Sequence, residues 1–227
     1  MTKLKAILQP PRRVSAETIA KFREIPAAVI SDCMSRLFAG GARIRPMHAR
    51  GTVLVGPAYT VRTRPGDNLF VHKAIDSALP GDVVVIDAGG EVTNAIMGEM
   101  MLTHSETRGL AGVVIDGAIR DSGHVGNHPF PVFAAGITHR GPYQTGPGEL
   151  NVPIALGGMV VQPGDLIVGD DDGVICVPFD MTEAVYEEAA KRLAGENAQR
   201  DRVRNGTVDR KWIDDRLGQI TFPFEYL

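Results

Sequence analysis

The segment GVVIDGAIRDSGHV, residues 112–125, begins like a buried strand and ends in charged residues. Its apolar run is followed by a polar stretch that contains Asp116, Gly117, Arg120 and Asp121. A short β-branched run bounded by turn residues is typical of a core strand. We expect Asp116 and Gly117 to form the turn that ends this strand. Charged side chains at the carboxyl end of such a strand are well placed to bind a ligand.

Two further segments share one pattern, in which a Pro-Gly turn is followed by an acid, a β-branched run, and a second acid with glycine. They are PGDVVVIDAGG at 80–90 and PGDLIVGDDDG at 163–173. Proline presets φ and glycine tolerates positive φ, so each pattern predicts a turn that leads into a strand. We expect the first strand to end in a glycine turn at 88–90, capped by Asp87, and the second to end in a tight hairpin at 170–173.

Helical and strand patterns surround these segments. Ser15 has the position of an N-cap, and Asp180 and Glu183 have the capping-box spacing that predicts the start of a long last helix. Helices are expected at 15–25, 27–37, 68–79 and 98–108, and strands at 51–56, 58–64, 110–117, 130–136 and within 152–178. This order predicts the α/β class, a layered sandwich with a mixed central sheet.

The length of 227 residues, 44% of them hydrophobic, is enough for one sizeable core. We therefore expect a single domain over 1–227, with an N-terminal arm over about 1–13 and a C-terminal helical extension over about 180–227. Aromatic residues of the C-terminal tail are expected to pack on the core or on a neighbouring subunit. They are Trp212, Phe222, Phe224 and Tyr226.

The composition argues against several classes of protein. The formal net charge is −3, and Lys and Arg are scattered, which argues against a nucleic-acid partner. We find no apolar segment long enough to span a bilayer and no signal-peptide pattern, so we expect no membrane partner. The two cysteines, Cys33 and Cys176, lie in unrelated contexts. They predict neither a zinc site nor a disulfide framework and favour a cytoplasmic location.

The region 87–121 carries the candidate site. Gly98 and Glu99 open the helix between two predicted strands, and a helix N-terminus offers free N–H groups that suit a carboxylate or phosphate. Arg120 supplies fixed donors for a carboxylate or a developing oxyanion. Asp121 could hold a divalent cation, because Mg²⁺ needs only one or two carboxylates and keeps several waters. The spacing alone is equally compatible with an Arg-Asp surface turn held by a salt bridge.

Other candidate residues have simpler interpretations. Asp170, Asp171 and Asp172 lack the spacing of a calcium loop and fit a hairpin better. His124 and His128 are four residues apart, but we do not expect a helix there to bring them together. Lys73 could form a Schiff base in principle, although its predicted amphipathic helix favours a solvated lysine.

Four ordered motifs nevertheless resemble a known family. GDVVVIDAGG, GEMMLTHSETRGLAGVVIDGAIRD, NVPIALGGMVVQPGDLIVGDDDGV and the helix that follows are similar to the 4-hydroxy-4-methyl-2-oxoglutarate aldolase family, which also contains the regulator of ribonuclease activity A. The likeness covers about residues 25–205. It implies a fold similar to the swivelling phosphohistidine-type domain, assembled as a homotrimer or a dimer of trimers.

The resemblance also implies roles for individual residues. Arg120 would bind the 2-oxo oxygen of the substrate, and Asp121 would bind Mg²⁺ or Mn²⁺. Glu99 would hold a metal-bound water, as would Glu196 contributed by a neighbouring subunit. The backbone of Gly98, Glu99, Met100, Met101 and Leu102 would receive the pyruvyl carboxylate. His124 is a further possible contact on the substrate side.

The implied activity is that of a carbon–carbon lyase. It is a class II metal-dependent pyruvate aldolase that cleaves 4-hydroxy-2-oxo acids of the 4-hydroxy-4-methyl-2-oxoglutarate or 4-carboxy-4-hydroxy-2-oxoadipate type, with oxaloacetate decarboxylase activity. The alternative is a non-catalytic regulator of ribonuclease activity that acts by binding a protein. Retention of both Arg120 and Asp121 favours the enzyme, and a lyase for another 2-oxo acid or a sugar acid remains open.

Overall fold

A computed structural model describes residues 9–220 of the chain. The described chain divides into two compact units at Ala189 and Ala190. The helices are α1 Ala16–Phe22, α2 Ala27–Cys33, α3 Leu69–Ser77, α4 Glu99–Thr107, α5 Ser122–Val125, α6 Thr182–Arg204 and α7 Lys211–Leu217. The strands are β1 Arg45–Pro46, β2 Leu54–Thr63, β3 Val83–Met97, β4 Gly112–Ile119, β5 Val132–Ile137, β6 Gly148–Leu150, β7 Ile154–Leu156, β8 Met159–Val161, β9 Leu166–Asp170 and β10 Gly173–Val177.

A mixed sheet forms the centre of the first unit, with the strand order β1-β5-β4-β3-β2-β9-β10 and with β6 beside β2. Strands β2 to β5 pair in parallel, whereas β1, β6, β9 and β10 pair antiparallel. The predicted α/β class with a mixed sheet is therefore confirmed. The likeness to a swivelling phosphohistidine-type domain stays a prediction.

The two faces of the sheet bury separate cores, because side chains alternate along each strand. Ile86 and Ile115 point to the face that α3 and α4 cover. Val85 and Val114 point to the other face, which packs against the β7–β8 hairpin. Each fully buried aliphatic side chain of this kind stabilises the fold by roughly 1.5–3 kcal/mol. The structure thus stacks helices, the mixed sheet and the β7–β8 hairpin in layers.

Strands β3 and β4 both run further than the sequence predicted. Asp116 and Gly117 lie inside β4 and do not end it, because Ala118 and Ile119 beyond them are also buried and continue the pairing. Gly89 and Gly90 likewise lie inside β3. Their positive φ angles of 68° and 70° belong to an irregular, bulged stretch, where the pairing with β4 shifts register.

Other element boundaries also differ from expectation. The two short strands predicted at 51–56 and 58–64 are one strand, β2. Helix α2 ends at Cys33, because Ser35 and Arg36 adopt left-handed φ angles of 55° and 61°. The last long helix begins at Thr182, after a 3-10 turn, and the carboxylate of Asp180 accepts from Arg12 Nη1 at 3.1 Å instead of opening the helix.

Several predictions of local structure are confirmed. The side chain of Ser15 accepts from the backbone N–H of Thr18 and caps α1. Helix α4 ends before Gly109, which has a φ of 73°. The acidic segment 170–173 is the tight turn of the β9–β10 hairpin.

The second unit contains the end of α6 and the whole of α7. Trp212 of α7 is 65% exposed, so its ring does not pack into a core of the described chain. Phe222, Phe224 and Tyr226 lie outside the described residues, as does most of the predicted N-terminal arm. Between residues 9 and 220, every helix is too short or too polar to cross a membrane.

Gly56 of β2 provides a test of the packing between strands. A Cβ at this position would lie 2.5 Å from the carbonyl oxygen of Gly81 and 3.0 Å from Val83 Cγ2. Gly56→Ala should therefore lower the free energy of unfolding by about 1–3 kcal/mol in a urea titration. The control is Gly195→Ala in α6, where the added Cβ meets no atom within 4 Å. That variant should gain up to about 1 kcal/mol, and a Gly56→Ala protein as stable as the parent would contradict the packing.

Candidate active site

Gly98 joins the end of β3 to the start of α4. It is the N-cap residue of the helix, and its carbonyl oxygen accepts from the N–H groups of Met101 and Leu102, both at 3.1 Å. The N–H of Glu99 donates to Asp121 Oδ2 at 3.0 Å, so it is already engaged. In the first turn this leaves the N–H of Met100, which has no acceptor within an ideal helix. The backbone of residues 98–102 therefore offers fewer unengaged N–H groups for a ligand than the sequence predicted.

Arg120 and Asp121 lie at the end of the neighbouring strand β4. The N–H of Arg120 donates to the carbonyl of Met97 at 2.9 Å, which holds the two strand ends together. Asp121 adopts a left-handed conformation, with φ 58° and ψ 37°. Its carbonyl accepts from the N–H groups of His124 and Val125 and so starts α5. A non-glycine residue in this region stores about 1 kcal/mol of strain, a feature that clusters at functional sites.

The contact between the two strand ends requires glycine at position 98. A Cβ there would overlap Asp121 Oδ2 and would lie 2.8 Å from Arg120 Cγ. Arg120 Nε lies 3.6 Å from Asp121 Oδ2, and both side chains are nearly half exposed. The arrangement therefore places a cation, a carboxylate and a helix N-terminus at one accessible point.

The loop that follows β5 forms a wall of the site beside Arg120. A Cβ on Gly141 would lie 3.3 Å from Arg120 Nη1, so the loop backbone approaches the guanidinium closely. Asn94 Nδ2 donates to the carbonyl of Gly141 at 2.6 Å, and the N–H of Ala95 donates to the carbonyl of Arg140 at 2.8 Å. These bonds fix the loop against the end of β3.

Asp67 anchors the same loop from beneath. Its buried carboxylate accepts from the backbone N–H groups of Leu69, Thr145 and Gly146 at 2.7–2.9 Å. Burial alone would raise the pKa of Asp67, but these hydrogen bonds outweigh it and hold the pKa below the usual 3.8. Asp67 also caps α3 through Leu69, so it ties the helix to the wall of the site.

Asn68 supports the site from the floor, a role that the sequence did not reveal. Its Nδ2 donates to the carbonyl of Ile96 at 3.0 Å and contacts Met101 Sδ at 3.2 Å. Asn68 occupies the N-cap position of α3, but the side chain that accepts from the first turn of that helix is that of Asp67. The residues that meet here enclose a pocket of about 250 Å³, including its open mouth. The lining includes Asn68, Ile96, Gly98, Met100, Arg120 and Pro142.

His124 extends the site along the outer face of α4. Its Nδ1 lies 3.6 Å from Glu99 Oε1. Its ring stacks on that of His128, with centroids 5.4 Å apart and an interplanar angle of 18°. The expectation that the two histidines do not meet is wrong, because α5, which contains His124, and the turn that follows it bring the rings together.

The remaining candidate residues lie elsewhere or have structural partners. Asp87 accepts from the N–H of Gly89 at 3.0 Å, as the predicted cap. Asp116 approaches the N–H of Gly157 and the guanidinium of Arg43. Lys73 is exposed on α3. Glu196 lies on α6 in the second unit, where it accepts from Arg192 Nε at 3.2 Å, and its role in a neighbouring subunit stays a prediction.

The carboxylates of Asp121 and Glu99 are oxygen donors of the kind that suit a hard cation, such as Mg²⁺, which keeps most of its water. Among residues 9–220, no group of three or more His, Cys, Asp or Glu side chains is arranged to hold a metal ion. The described residues thus carry no dense ligand set of the kind that zinc takes. Mg²⁺ binds through one or two carboxylates, and the carboxylate of Asp121, 42% exposed and next to Glu99, fits that requirement.

Comparison with known proteins adds independent information. Residues 27–176 match the RraA-like family model, described as Aldolase/RraA. A Halalkalibacterium halodurans protein named "Putative 4-hydroxy-4-methyl-2-oxoglutarate aldolase" is 46% identical over 181 residues, which cover 80% of this chain and 86% of that protein.

Solved structures are similar over much of the chain. RraAS2 of Streptomyces coelicolor, described as an unusual member of the RNase ES inhibitor RraA family, is 27% identical with a TM-score of 0.76, covering 84% of this chain and 99% of that one. The RNA-processing inhibitor RraA of Thermus thermophilus is 28% identical with a TM-score of 0.62, covering 68% and 93%.

The pKa of Asp67 predicts a pH-dependent contribution to stability. Because its folded pKa lies below 3.8, the contribution is present above that pH and is lost as the pH falls through the folded value. Asp67→Asn should lower the free energy of unfolding at pH 7 by about 1–3 kcal/mol. Three backbone N–H groups donate to the carboxylate, and asparagine replaces one of its two acceptor oxygens with an NH₂ group. Urea titrations should show the gap between the two proteins closing below pH 3.8. A gap that stays constant with pH would contradict this assignment.

Proposed function

The chain belongs to the Aldolase/RraA family, and on that premise we propose that it is a class II, divalent-metal-dependent pyruvate aldolase. The observation that carries the proposal is the hydrogen bond between Asp121 Oδ2 and the N–H of Glu99. It joins the Arg120-Asp121 pair to the start of α4, so that donors for an oxo acid and a carboxylate for a cation occupy one accessible point.

The proposed substrates are 4-hydroxy-2-oxo acids. The class includes 4-hydroxy-4-methyl-2-oxoglutarate, named for a relative that is 46% identical, and 4-carboxy-4-hydroxy-2-oxoadipate. Decarboxylation of oxaloacetate is a second expected activity, because it passes through the same pyruvate enolate. We propose that the reaction takes place in the cytoplasm and that the enzyme is a homotrimer or a dimer of trimers. In that assembly, Glu196 of one subunit would reach the site of the next.

Substrate binding is assigned to the start of α4 and to Arg120. The carboxylate of the oxo acid would lie against the first turn of the helix, where the Met100 N–H and the positive end of the helix dipole attract it. The guanidinium of Arg120 would donate to the 2-oxo oxygen. Gly98 permits this arrangement, because a side chain at that position would collide with Arg120 and Asp121.

A divalent cation, when bound, supplies a Lewis acid next to the 2-oxo group. Asp121 would hold it directly, and Glu99 would hold one of its waters. The fixed charge of Arg120 stabilises the negative charge that gathers on the 2-oxo oxygen. Preorganised donors of this kind act most strongly where charge develops in the transition state.

The proposed cleavage balances as a retro-aldol reaction. The 4-hydroxyl group loses its proton and becomes a carbonyl as the C3–C4 bond breaks. The electron pair of that bond forms the pyruvate enolate, whose C3 then takes up a proton. Glu99, a half-exposed carboxylate beside Asp121, is the proposed carrier of the proton through a water molecule.

The regulator of ribonuclease activity remains the second candidate function. Two similar structures support it, since one is described as an RNA-processing inhibitor and the other as a member of the RNase ES inhibitor RraA family. The accessible Arg120-Asp121 pair favours the enzyme, since a protein that acts only by docking has no need of it. Failure to release pyruvate from any oxo acid, together with inhibition of a ribonuclease, would establish the alternative.

The metal requirement and the residue roles are tested together by a pyruvate-release assay. Activity towards oxaloacetate and 4-hydroxy-2-oxo acids should require Mg²⁺ or Mn²⁺ and should stop with EDTA. Arg120→Ala should lower kcat by about 10²–10³-fold, the usual cost of removing an oxyanion donor. Asp121→Ala should abolish metal-dependent turnover.

The matched control is Glu188→Gln, an exposed acid on α6 that should leave the rate unchanged. Activity that survives EDTA, or that survives Asp121→Ala, would overturn the metal-dependent mechanism.

A further inference from the structure

We propose, on the basis of the aldolase function above, that Arg140 binds the second carboxylate of the substrate, the one attached to C4. The 4-hydroxy-2-oxo acids named above carry this group, and cleavage leaves it on the second product, which is then itself an oxo acid. Arg140 would thus be the residue that selects dicarboxylic substrates. Support comes from its place in the loop that follows β5 and from the charges around the site.

The backbone of Arg140 is fixed beside the guanidinium of Arg120. A Cβ on Gly141, the next residue, would lie 3.3 Å from Arg120 Nη1, and consecutive Cα atoms are about 3.8 Å apart. The carbonyl of Arg140 accepts from the N–H of Ala95 at 2.8 Å. The carbonyl of Gly141 accepts from Nδ2 of the buried Asn94 at 2.6 Å. Two consecutive peptide groups of the loop are therefore held against the end of β3, next to the proposed substrate.

The side chain of Arg140, in contrast, is exposed and unpaired. Between residues 9 and 220, its guanidinium forms no ion pair with a carboxylate, and the acid on which its charge acts is Glu91. Hydrogen bonds from Thr93 lower the pKa of Glu91 more than the charge of Arg140 does. The backbone of this residue is thus fixed by the fold, while its cation is available to a ligand.

A carboxylate on C4 brings another negative charge to a site that already holds Asp121 and Glu99. The proposed mechanism gives the guanidinium of Arg120 to the 2-oxo oxygen, and C4 lies only two bonds from the carbon that carries that oxygen. A second cation close to Arg120 is therefore needed to balance the substrate. Arginine suits this task, because its planar fork can donate two parallel hydrogen bonds to one carboxylate.

The charges on the two sides of the site indicate the direction in which this carboxylate points. Between α4 and α5, His124 Nδ1 lies 3.6 Å from Glu99 Oε1. Further along the same groove, His128 Nε2 lies 3.7 Å from Glu106 Oε2. Each imidazole there already faces a glutamate, so a substrate carboxylate would meet like charge. The pocket on the loop side has no acid among its described lining residues, and the carboxylate is therefore assigned to that side.

Arg64 also lies close to this loop, but its guanidinium has partners. It lies over the ring of Tyr143, 5.2 Å from the centroid, and donates to Thr145 Oγ1 at 3.3 Å. Recruitment of Arg64 by a substrate would cost these contacts, whereas recruitment of Arg140 would break no ion pair in the described chain. Arg140 is therefore the better candidate.

A pair of substrates that differ only at C4 tests the assignment. Arg140→Gln should raise KM and lower kcat/KM for 4-hydroxy-2-oxoglutarate at least about tenfold, the usual cost of losing a hydrogen bond to a charged group. For 4-hydroxy-2-oxopentanoate, which carries a methyl group in place of the carboxylate, kcat/KM should change less than twofold. Arg140→Lys, which keeps the charge, should retain more activity towards the dicarboxylate than Arg140→Gln. A loss of equal size for the two substrates, or no loss, would overturn the proposal.

Two further variants separate recognition of the substrate from a structural role. Arg23→Gln is the matched control, because Arg23 is exposed and lines a surface pocket with Val53, just before β2 and thus at the opposite edge of the sheet. It should leave both kcat/KM values unchanged. If Arg140 acted only through its attraction to Glu91, Glu91→Gln would reproduce the loss seen in Arg140→Gln. We expect no such loss in Glu91→Gln, and an equal selective loss there would contradict the assignment.

Exchange of the methyl protons of pyruvate in D₂O separates failure of this assignment from failure of the proposed function. Pyruvate has no C4, so its Mg²⁺-dependent exchange should proceed at the same rate in the parent and in Arg140→Gln. If both proteins exchange but the two substrates lose equal activity, or neither hydroxy acid is cleaved, the aldolase site stands and the role of Arg140 is wrong. If the parent does not exchange, the aldolase function itself fails, and the role of Arg140 fails with it.

Discussion

The hydrogen bond from the N–H of Glu99 to Asp121 Oδ2 is the constraint on which the site depends. It links the ends of two neighbouring parallel strands through one helix N-terminus and one carboxylate. The bond is possible because position 98 has no side chain, and because Asp121 accepts a left-handed backbone that most residues avoid. The pairing of β3 with β4 brings both partners of this hydrogen bond to the same edge of the sheet. The fold and the candidate site therefore depend on the same strand pairing.

The rest of the site is built around that link by contacts distant in sequence. Asp67 holds the loop at 145–146, which is 78 or 79 residues away along the chain. Asn68 holds the end of β3 through Ile96. Together these two buried side chains give the pocket a fixed wall and floor, whereas Arg120, Asp121 and Glu99 remain accessible. Such rigid support would serve the proposed catalysis, because misplacement of a reacting group by about 1 Å can cost roughly a hundredfold in rate.

Local patterns in the sequence predicted the elements that local chemistry controls. The cap at Ser15, the helix that begins beside Gly98, and the hairpin at 170–173 each depend on residues within a few positions of one another. The same reasoning placed Arg120 and Asp121 at a strand end, although spacing alone did not separate a site from a surface turn. The continuation of β4 through Asp116 and Gly117 was missed, since polar and turn-forming residues are buried there by pairing with the bulged β3. The anchoring by Asp67 was missed because its partners in the loop are distant in sequence. The stacking of His124 on His128 was missed because the short helix α5 was not predicted.

The central claim is that Asp121 holds a divalent cation within reach of a bound oxo acid. Mn²⁺ tests it directly, because a bound paramagnetic ion accelerates the relaxation of nearby pyruvate methyl protons in an NMR titration. The account predicts strong acceleration with the parent protein, displacement of the effect by Mg²⁺, and its loss in Asp121→Asn, in which asparagine tolerates the left-handed backbone. Equal acceleration in the parent and in Asp121→Asn, or none in the parent, would contradict the account.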